Sequence, residues 1–316
     1  MGITACLLGG ILATTLAPAS CVEPAGRFSV DSELVTIPLS VTDRTGRAVP
    51  GLDRTDFTIA EDGAPQTVLA VSRWDAPISF GVVFDTSGSM GGAIRLAQHS
   101  ISALFHESEP EDESFLIQFA DAPRLETGFV RDLHEISRRL LLCSARGATA
   151  LFDAVYAGLD LMTHASNLHK ALVVVSDGGD NHSRRSFTEL RSAARERDVQ
   201  IFVLSIRRDP RDLDERRGSA ELDDLANDTG GRLVEVNTDD EIPRAIAVIG
   251  ELIRTQYLLF YRPLQSPLDG KWRRVRVGVG AESKKPSYRI RSSRSGYYSP
   301  QSLCATSTAA LRDVTR

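Results

Sequence analysis

The 316-residue chain is poor in the features that mark several large functional classes. Positive charge is not in excess: 37 Lys and Arg stand against 42 Asp and Glu, a net charge of −5. That balance speaks against a nucleic-acid partner, because phosphate binding needs a concentrated positive field. Cysteine is scarce, at four residues. Cys6 lies in the apolar amino-terminal segment, and Cys21, Cys143 and Cys304 form an odd, scattered set that makes no disulfide framework. Cys143 follows Leu140, Leu141 and Leu142 and reads as a small buried hydrophobe. Past the amino terminus no membrane-spanning stretch occurs. Signatures of catalysis are missing as well: there is no G-x-S-x-G elbow, no H-E-x-x-H among the six histidines, and no G-x-x-x-x-G-K-[ST] loop. The expectation is a protein that is not an enzyme.

What is present begins with a targeting segment. Residues 3–16 are apolar and small without an acid or base, and Ala17-Pro18-Ala19 supplies an A-x-A cleavage pattern, so residues 1–19 are set apart as a signal peptide. Cys21 also permits a lipoprotein, with Pro18 standing where such a site normally carries Leu. Either route leads to a secreted, periplasmic or envelope location.

Residues 28–75 read as β structure. VTIPLSVTD alternates, and Asp62-Gly63-Ala64-Pro65 divides further short runs. From 78 to 256 apolar strands alternate with amphipathic helices, the pattern of a doubly wound, Rossmann-like, mostly parallel sheet. Strands are expected over 78–84, 115–119, 171–175, 199–206 and 233–236, rich in Val, Ile, Leu and Phe because helices cover both faces. Ile94, Ala97, Ile101, Leu104 and Phe105 form one helical stripe, and Ile242, Ala245, Ile246, Ile249, Leu252 and Ile253 another. Residues 257–300 return to β periodicity, and 301–316 show no packing pattern and are expected to be a disordered tail. Each β flank alone is marginal in size, so the two are expected to pair in one sandwich-like domain into which the α/β unit is inserted.

Three loops carry oxygen donors. Asp85-Thr86-Ser87-Gly88-Ser89 ends the first α/β strand, Thr149 precedes a helix, and Asp177 follows the strand ALVVV within Ser176-Asp177-Gly178-Gly179. Loops after parallel strands share the carboxyl edge of the sheet, where ligands bind. Two carboxylates with hydroxyls suit Mg²⁺, a hard cation that takes oxygen ligands and keeps several waters. Each loop alone could instead be a helix cap, since Asp, Ser and Thr are preferred there.

The set D-x-S-x-S, Thr in a loop before a helix, and S-D-G after an apolar strand resembles the von Willebrand factor A domain with its metal-ion-dependent adhesion site. The matching positions are Asp85, Ser87, Ser89, Thr149 and Asp177. The flanks VTDRTGRAVPGL, FTIAEDGAPQTV, QYLLFYRP and RSGYY resemble a bacterial envelope subgroup of that family. The resemblance implies a bound Mg²⁺ (or Mn²⁺ or Ca²⁺), a protein partner that presents Asp or Glu to it, and a last helix, here 242–256, that slides when the partner binds. A structural scaffold with a vestigial site and a metal-dependent hydrolase are the alternatives. No nucleic acid is expected, and a membrane only through lipidation at Cys21.

Several other features receive plainer readings. Asp180, Asn181 and His182 read as an acidic turn on a solvated loop, and Asp153 as serving the helix dipole or a loop hydrogen bond. Residues 107–113 read as a solvated link, and 207–218, RRDPRDLDERRG, as a mobile loop near the metal. The bases between Lys271 and Arg294 alternate with Val as the exposed face of an edge sheet does.

Overall fold

Strand positions follow the apolar runs closely. The computed structural model describes residues 34–106, 108–207, 211–264, 269–279, 288–292 and 296–299. The signal peptide of residues 1–19, Cys21 and the tail of residues 301–316 lie outside them. The first β flank supplies β1 (Val35–Thr42), β2 (Phe57–Glu61), β3 (Ala64–Gln66) and β4 (Val68–Arg73). The α/β unit follows with β5 (Ile78–Asp85), α1 (Ile94–His106), β6 (Glu113–Phe119), β7 (Pro123–Val130), α2 (Leu133–Leu141) and α3 (Leu151–Leu161). It continues with β8 (His169–Ser176), α4 (Phe187–Glu196), β9 (Gln200–Ile206), α5 (Leu213–Asp228), β10 (Arg232–Val236) and α6 (Ile242–Arg254). The second flank holds β11 (Gln256–Tyr261), β12 (Trp272–Val279), β13 (Arg289–Ser292) and β14 (Gly296–Tyr298).

The central sheet runs β10-β9-β8-β5-β6-β7, parallel except for the β6–β7 pair. The inner strands β5, β8 and β9 are rich in Val, Leu, Ile and Phe and buried at nearly every position because both faces are covered. Phe80, Val82 and Phe84 of β5 pack under α1, α2 and α6, while Val83 with Leu172 and Val174 packs under α3, α4 and α5. Gly81 makes room for Phe115, whose ring a Cβ there would strike. The chain moves outward from β5 to β6 and β7, then returns to lay β8 on the other side of β5. The order therefore reverses between β5 and β8, the switch point at which open α/β sheets bind ligands.

The flanks do pair. Sheet β13-β1-β11-β4 and sheet β14-β12-β2-β3 each draw strands from both, through antiparallel β1–β11, β4–β11 and β2–β12 ladders. Their inner faces share one core of Ile37, Leu39, Val41, Phe57, Ile59, Tyr257, Leu259 and Tyr261. Tyr261 Oη donates to buried Glu61 at 2.7 Å and Tyr257 Oη to the Val49 carbonyl at 2.6 Å, so both phenols are satisfied inside. Only Thr255 separates α6 from β11.

Several residues differ from their sequence reading. β7 has no apolar run of its own and exists because β6 offers it a hairpin partner. Residues 213–218 are the first turns of α5. Asp112 and Glu113 are buried, not solvated. Asp112 accepts from the Ile78 and Glu109 backbone at 2.7 Å each and pairs with Arg254, and Glu113 accepts from Ser79 Oγ and the Ser166 backbone at 2.6 Å each. Cys143 is half-buried and Leu142 exposed, since α2 turns only Leu133, Ile136 and Leu140 inward.

Candidate metal centre

Asp85 ends β5 with 0% exposure. Its Oδ1 accepts from the Ser87 backbone at 2.7 Å, and its Oδ2 accepts from Ser176 Oγ at 2.6 Å, a bond from the last residue of β8 across the switch point. Thr86 donates through its backbone N and its Oγ1 to the Phe119 carbonyl at 2.8 and 2.9 Å, which fixes the loop on the end of β6. Ser87 is buried at the cap of a short 3₁₀ turn, Gly88–Gly92, and its Oγ lies 3.0 Å from Ser89 Oγ. Ser89 stands at the exposed rim.

The second loop is stitched to the first. Gly88 N donates to the Gly147 carbonyl at 3.1 Å and Arg146 N to the Thr86 carbonyl at 2.7 Å. Gly147 sits at φ +83°, and a Cβ there would press on the Asp121 carboxylate, which accepts from Ala148 N at 2.7 Å. The third loop closes on the second: Asn181 Oδ1 accepts from Thr149 N at 2.9 Å, and the Thr149 carbonyl accepts from Asn181 N and His182 N. The backbone thus gathers Asp85, Ser87, Thr149 and Asp177, all buried, with Ser89 at the edge.

Helix capping does not account for these hydroxyls. Ser87 occupies a cap position without a side-chain cap bond, and the cap of α3 is Ala150. The first free N–H groups of α3 are taken by the neighbouring loop: Phe152 N donates to Asp180 Oδ1 at 3.2 Å and Asp153 N to Ser183 Oγ at 3.1 Å. Asp153 returns the bond, accepting from the Arg184 and Arg185 backbone. Asp180 and Asn181, read from sequence as a solvated turn, are therefore the clamp that leaves Thr149 Oγ1 out of capping.

Burial pushes the Asp85 carboxyl up to about 7, and the nearby charge of Asp177 adds to it; hydrogen bonds from Ser176 and Ser87 oppose the rise. The groups that hydrogen-bond the Asp85 carboxylate are neutral donors, the Ser87 backbone and the Ser176 hydroxyl. Among the described residues no three His, Cys, Asp or Glu side chains converge on one point. Two carboxylates with three hydroxyls are a hard-oxygen set of the kind that suits Mg²⁺, Mn²⁺ or Ca²⁺. The residues present fit such an ion.

The support beneath Asp177 has no local signal in the sequence. Gly178 adopts φ +98° under the first turns of α5, and a Cβ on Gly218 would fall on the Gly178 carbonyl oxygen. Backbone meets backbone there, and only two glycines allow it. Gly218→Ala is expected to lower stability by about 1–3 kcal/mol and to displace the Asp177 loop, read as a shifted urea midpoint together with weakened Mg²⁺ binding. A cleft of about 340 Å³ opens beside the first two loops, lined by Thr86, Arg124, Leu142, Cys143 and Arg146 among others. Burial and the charge of Glu126 push the Cys143 thiol up to about 11.

Residues 81–179 match the family model described as the von Willebrand factor type A domain. Among solved structures, von Willebrand factor type A from Catenulispora acidiphila superposes with a TM-score of 0.52 at 8% identity, over 88% of this chain and 76% of that one. The vWF domain of the type V pili tip protein Mfa5 from Porphyromonas gingivalis gives a TM-score of 0.46 at 12% identity, over 57% and 95%. The conserved hypothetical protein BatB from Bacteroides thetaiotaomicron gives 0.43 at 19% identity, over 55% and 99%. The Catenulispora superposition, with the family match, shows the mixed α/β fold of a von Willebrand factor A domain. No curated protein matches the chain.

Proposed function

We propose that the von Willebrand factor A segment of this chain is a divalent-metal-dependent protein-binding module, with Asp85, Ser87, Ser89, Thr149 and Asp177 as its metal site. The observation that carries this reading is the pair of buried carboxylates at the β5/β8 switch point beside Ser87 and Thr149, two cap-type residues whose side chains cap no helix. Mg²⁺ (or Mn²⁺ or Ca²⁺), when bound, offers an open coordination position to an Asp or Glu of the partner. Asp85 is held in place by Ser176 and the Ser87 backbone, so its carboxylate keeps its orientation as a partner arrives. Arg124 and Arg146 at the adjacent cleft favour an acidic segment, although Arg124 is shared with Glu126.

The reading is of binding and not of catalysis. Two residues beyond Asp85, where a phosphoryl-transferring aspartate site carries its second acid, stands Ser87. A signal peptide over residues 1–19 would carry the module to the envelope or outside the cell, and lipidation at Cys21 would tether it there. The sandwich serves as its mount, and α6, one residue from β11, is the element through which the site would report to it.

Immobilised full-length protein incubated with an envelope extract tests the proposal. A partner retained in Mg²⁺ is expected to be released by a chelator and to be missing from Asp85→Ala. The same partner retained equally in excess chelator overturns it.

A further inference from the structure

A second site is written into the seam between the central sheet and the sandwich. Along β1, Ile37, Leu39 and Val41 enter the sandwich core, so the intervening Ser40 and Thr42 point to the opposite face. Both are buried, so that face is covered too. The antiparallel register sets Ser40 against Arg291 and Thr42 against Arg289, and directly opposed residues project from the same face. Arg232, the first residue of edge strand β10, arrives from the α/β side. Its Nη1 donates to the carbonyl of Gly46, in the turn that follows Thr42, and a Cβ on Gly46 would collide with its guanidinium.

Arg232, Arg289 and Arg291 thus share one seam, near enough for the charges of Arg289 and Arg291 to act on Arg232. Arg232 and Arg291 are half-buried and Arg289 is exposed. Among the described residues no carboxylate pairs with any of the three within 4.0 Å. The negative charges that act on Arg232 are Asp43 and Asp223. Asp43 already accepts from the backbone N–H groups of Thr45 and Arg47 and from the Thr45 hydroxyl. Burial, then Arg291 and Arg289, holds Arg232 below the usual guanidinium range; burial foremost, opposed by Asp223 and with Arg289 adding, does the same for Arg291. One further group points the same way. Thr42 Oγ1, on a residue 2% exposed, has no hydrogen-bond partner among the described residues.

Like charges left together in a half-buried seam are costly, and so is an unmade buried hydrogen bond. Both costs fall away if an oxyanion sits between them, since guanidinium forks match phosphate oxygens and a hydroxyl adds a further donor. We propose that Arg232, Arg289, Arg291 and Thr42 form a binding site for a phosphoryl group, which ties β10 to β13 and β1. A free phosphate and the headgroup of an anionic lipid share this chemistry.

Melting and calorimetric titration of the full chain test the site, with chelator present throughout so that the metal centre takes no part. Inorganic phosphate at about 100 times its Kd is expected to raise Tm by on the order of 5 °C over chloride of equal ionic strength. Arg289→Gln, at an exposed position, is expected to weaken phosphate binding by about tenfold or more. Thr42→Val keeps the shape, and is expected to leave Tm unchanged or higher without phosphate and to shrink the phosphate shift. Sedimentation with phosphatidylglycerol vesicles but not phosphatidylcholine vesicles, lost in Arg289→Gln, assigns the phosphoryl group to lipid. Phosphate binding without sedimentation assigns it to a soluble phosphate. Superimposable phosphate and chloride melts, or unchanged phosphate binding in Arg289→Gln, overturn the proposal.

Discussion

Mg²⁺ at about 100 times its Kd is expected to raise the Tm of metal-free protein at pH 8 by on the order of 5 °C, and to do nothing to Asp85→Asn. The same variant is expected to be more stable than the wild type when no metal is present. Asp85 is fully buried, and its carboxyl is raised from 3.8 to about 7, foremost by burial and then by Asp177. A carboxyl whose folded pKa lies above its unfolded one leaves stability intact below about pH 4. Stability then falls as pH rises towards 7, and the full cost is present above that. The shift corresponds to about 4 kcal/mol at pH 8. Asparagine removes the charge and retains the shape, and the Ser176 hydroxyl can turn from donor to acceptor. Urea denaturation of both proteins at pH 4 and pH 8, with and without Mg²⁺, checks each part. A wild type indifferent to Mg²⁺ would leave the scaffold reading standing, and an Asp85→Asn protein less stable than wild type at pH 8 without metal would contradict the electrostatic account.

The second large effect belongs to the opposite edge of the sheet. His169, at the start of β8, is 0% exposed and stacks on Trp74 with ring centroids 4.0 Å apart. Neither ring nitrogen has a hydrogen-bond partner among the described residues. Burial, with the charge of Arg254 adding and Asp112 opposing, pushes its pKa from 6.5 down to about 4. A histidine buried in its neutral form contributes stability that is complete above pH 6.5 and lost as pH falls towards 4. The loss is about 2 kcal/mol at pH 5 and about 3 kcal/mol near pH 4. His169→Leu, apolar where the ring has no polar partners, is expected to match wild type within about 1 kcal/mol at pH 7 and to exceed it by about 2 kcal/mol at pH 5. Parallel stability profiles for the two proteins between pH 7 and pH 5 would refute this. The position matters because Trp74 N donates to the Gln256 carbonyl at 2.8 Å, where the unit joins the sandwich, so acid should loosen that joint first.

Much of the frame is readable from the chain because its causes are local. The stripe Ile242, Ala245, Ile246, Ile249, Leu252 and Ile253 is buried along its whole length, as its period requires. The apolar runs of β5, β8 and β9 announce a sheet covered on both sides. The resemblance to the von Willebrand factor A domain picks out Asp85, Ser87, Ser89, Thr149 and Asp177, and the fold carries them to neighbouring loops. Other features had no local cause to read. PRLETGFV carries a proline and little alternation, and becomes β7 only because β6 accepts it.

By itself, then, the sequence determined the period of each element, the alternation of strand and helix, and the donor spacing after β5, since each depends on residues within a few positions of one another. Tertiary structure alone decided which charges are buried. Asp112 meets Arg254, 142 positions away, and so becomes a buried anchor where sequence suggested a solvated link. Gly218 meets Gly178 and sets the Asp177 loop, and Arg232 meets Gly46, 186 positions away, and brings three guanidiniums to one seam. Whether a charge or a glycine matters depends on what stands opposite it, and the partner is chosen by strand order and register, which no local pattern encodes.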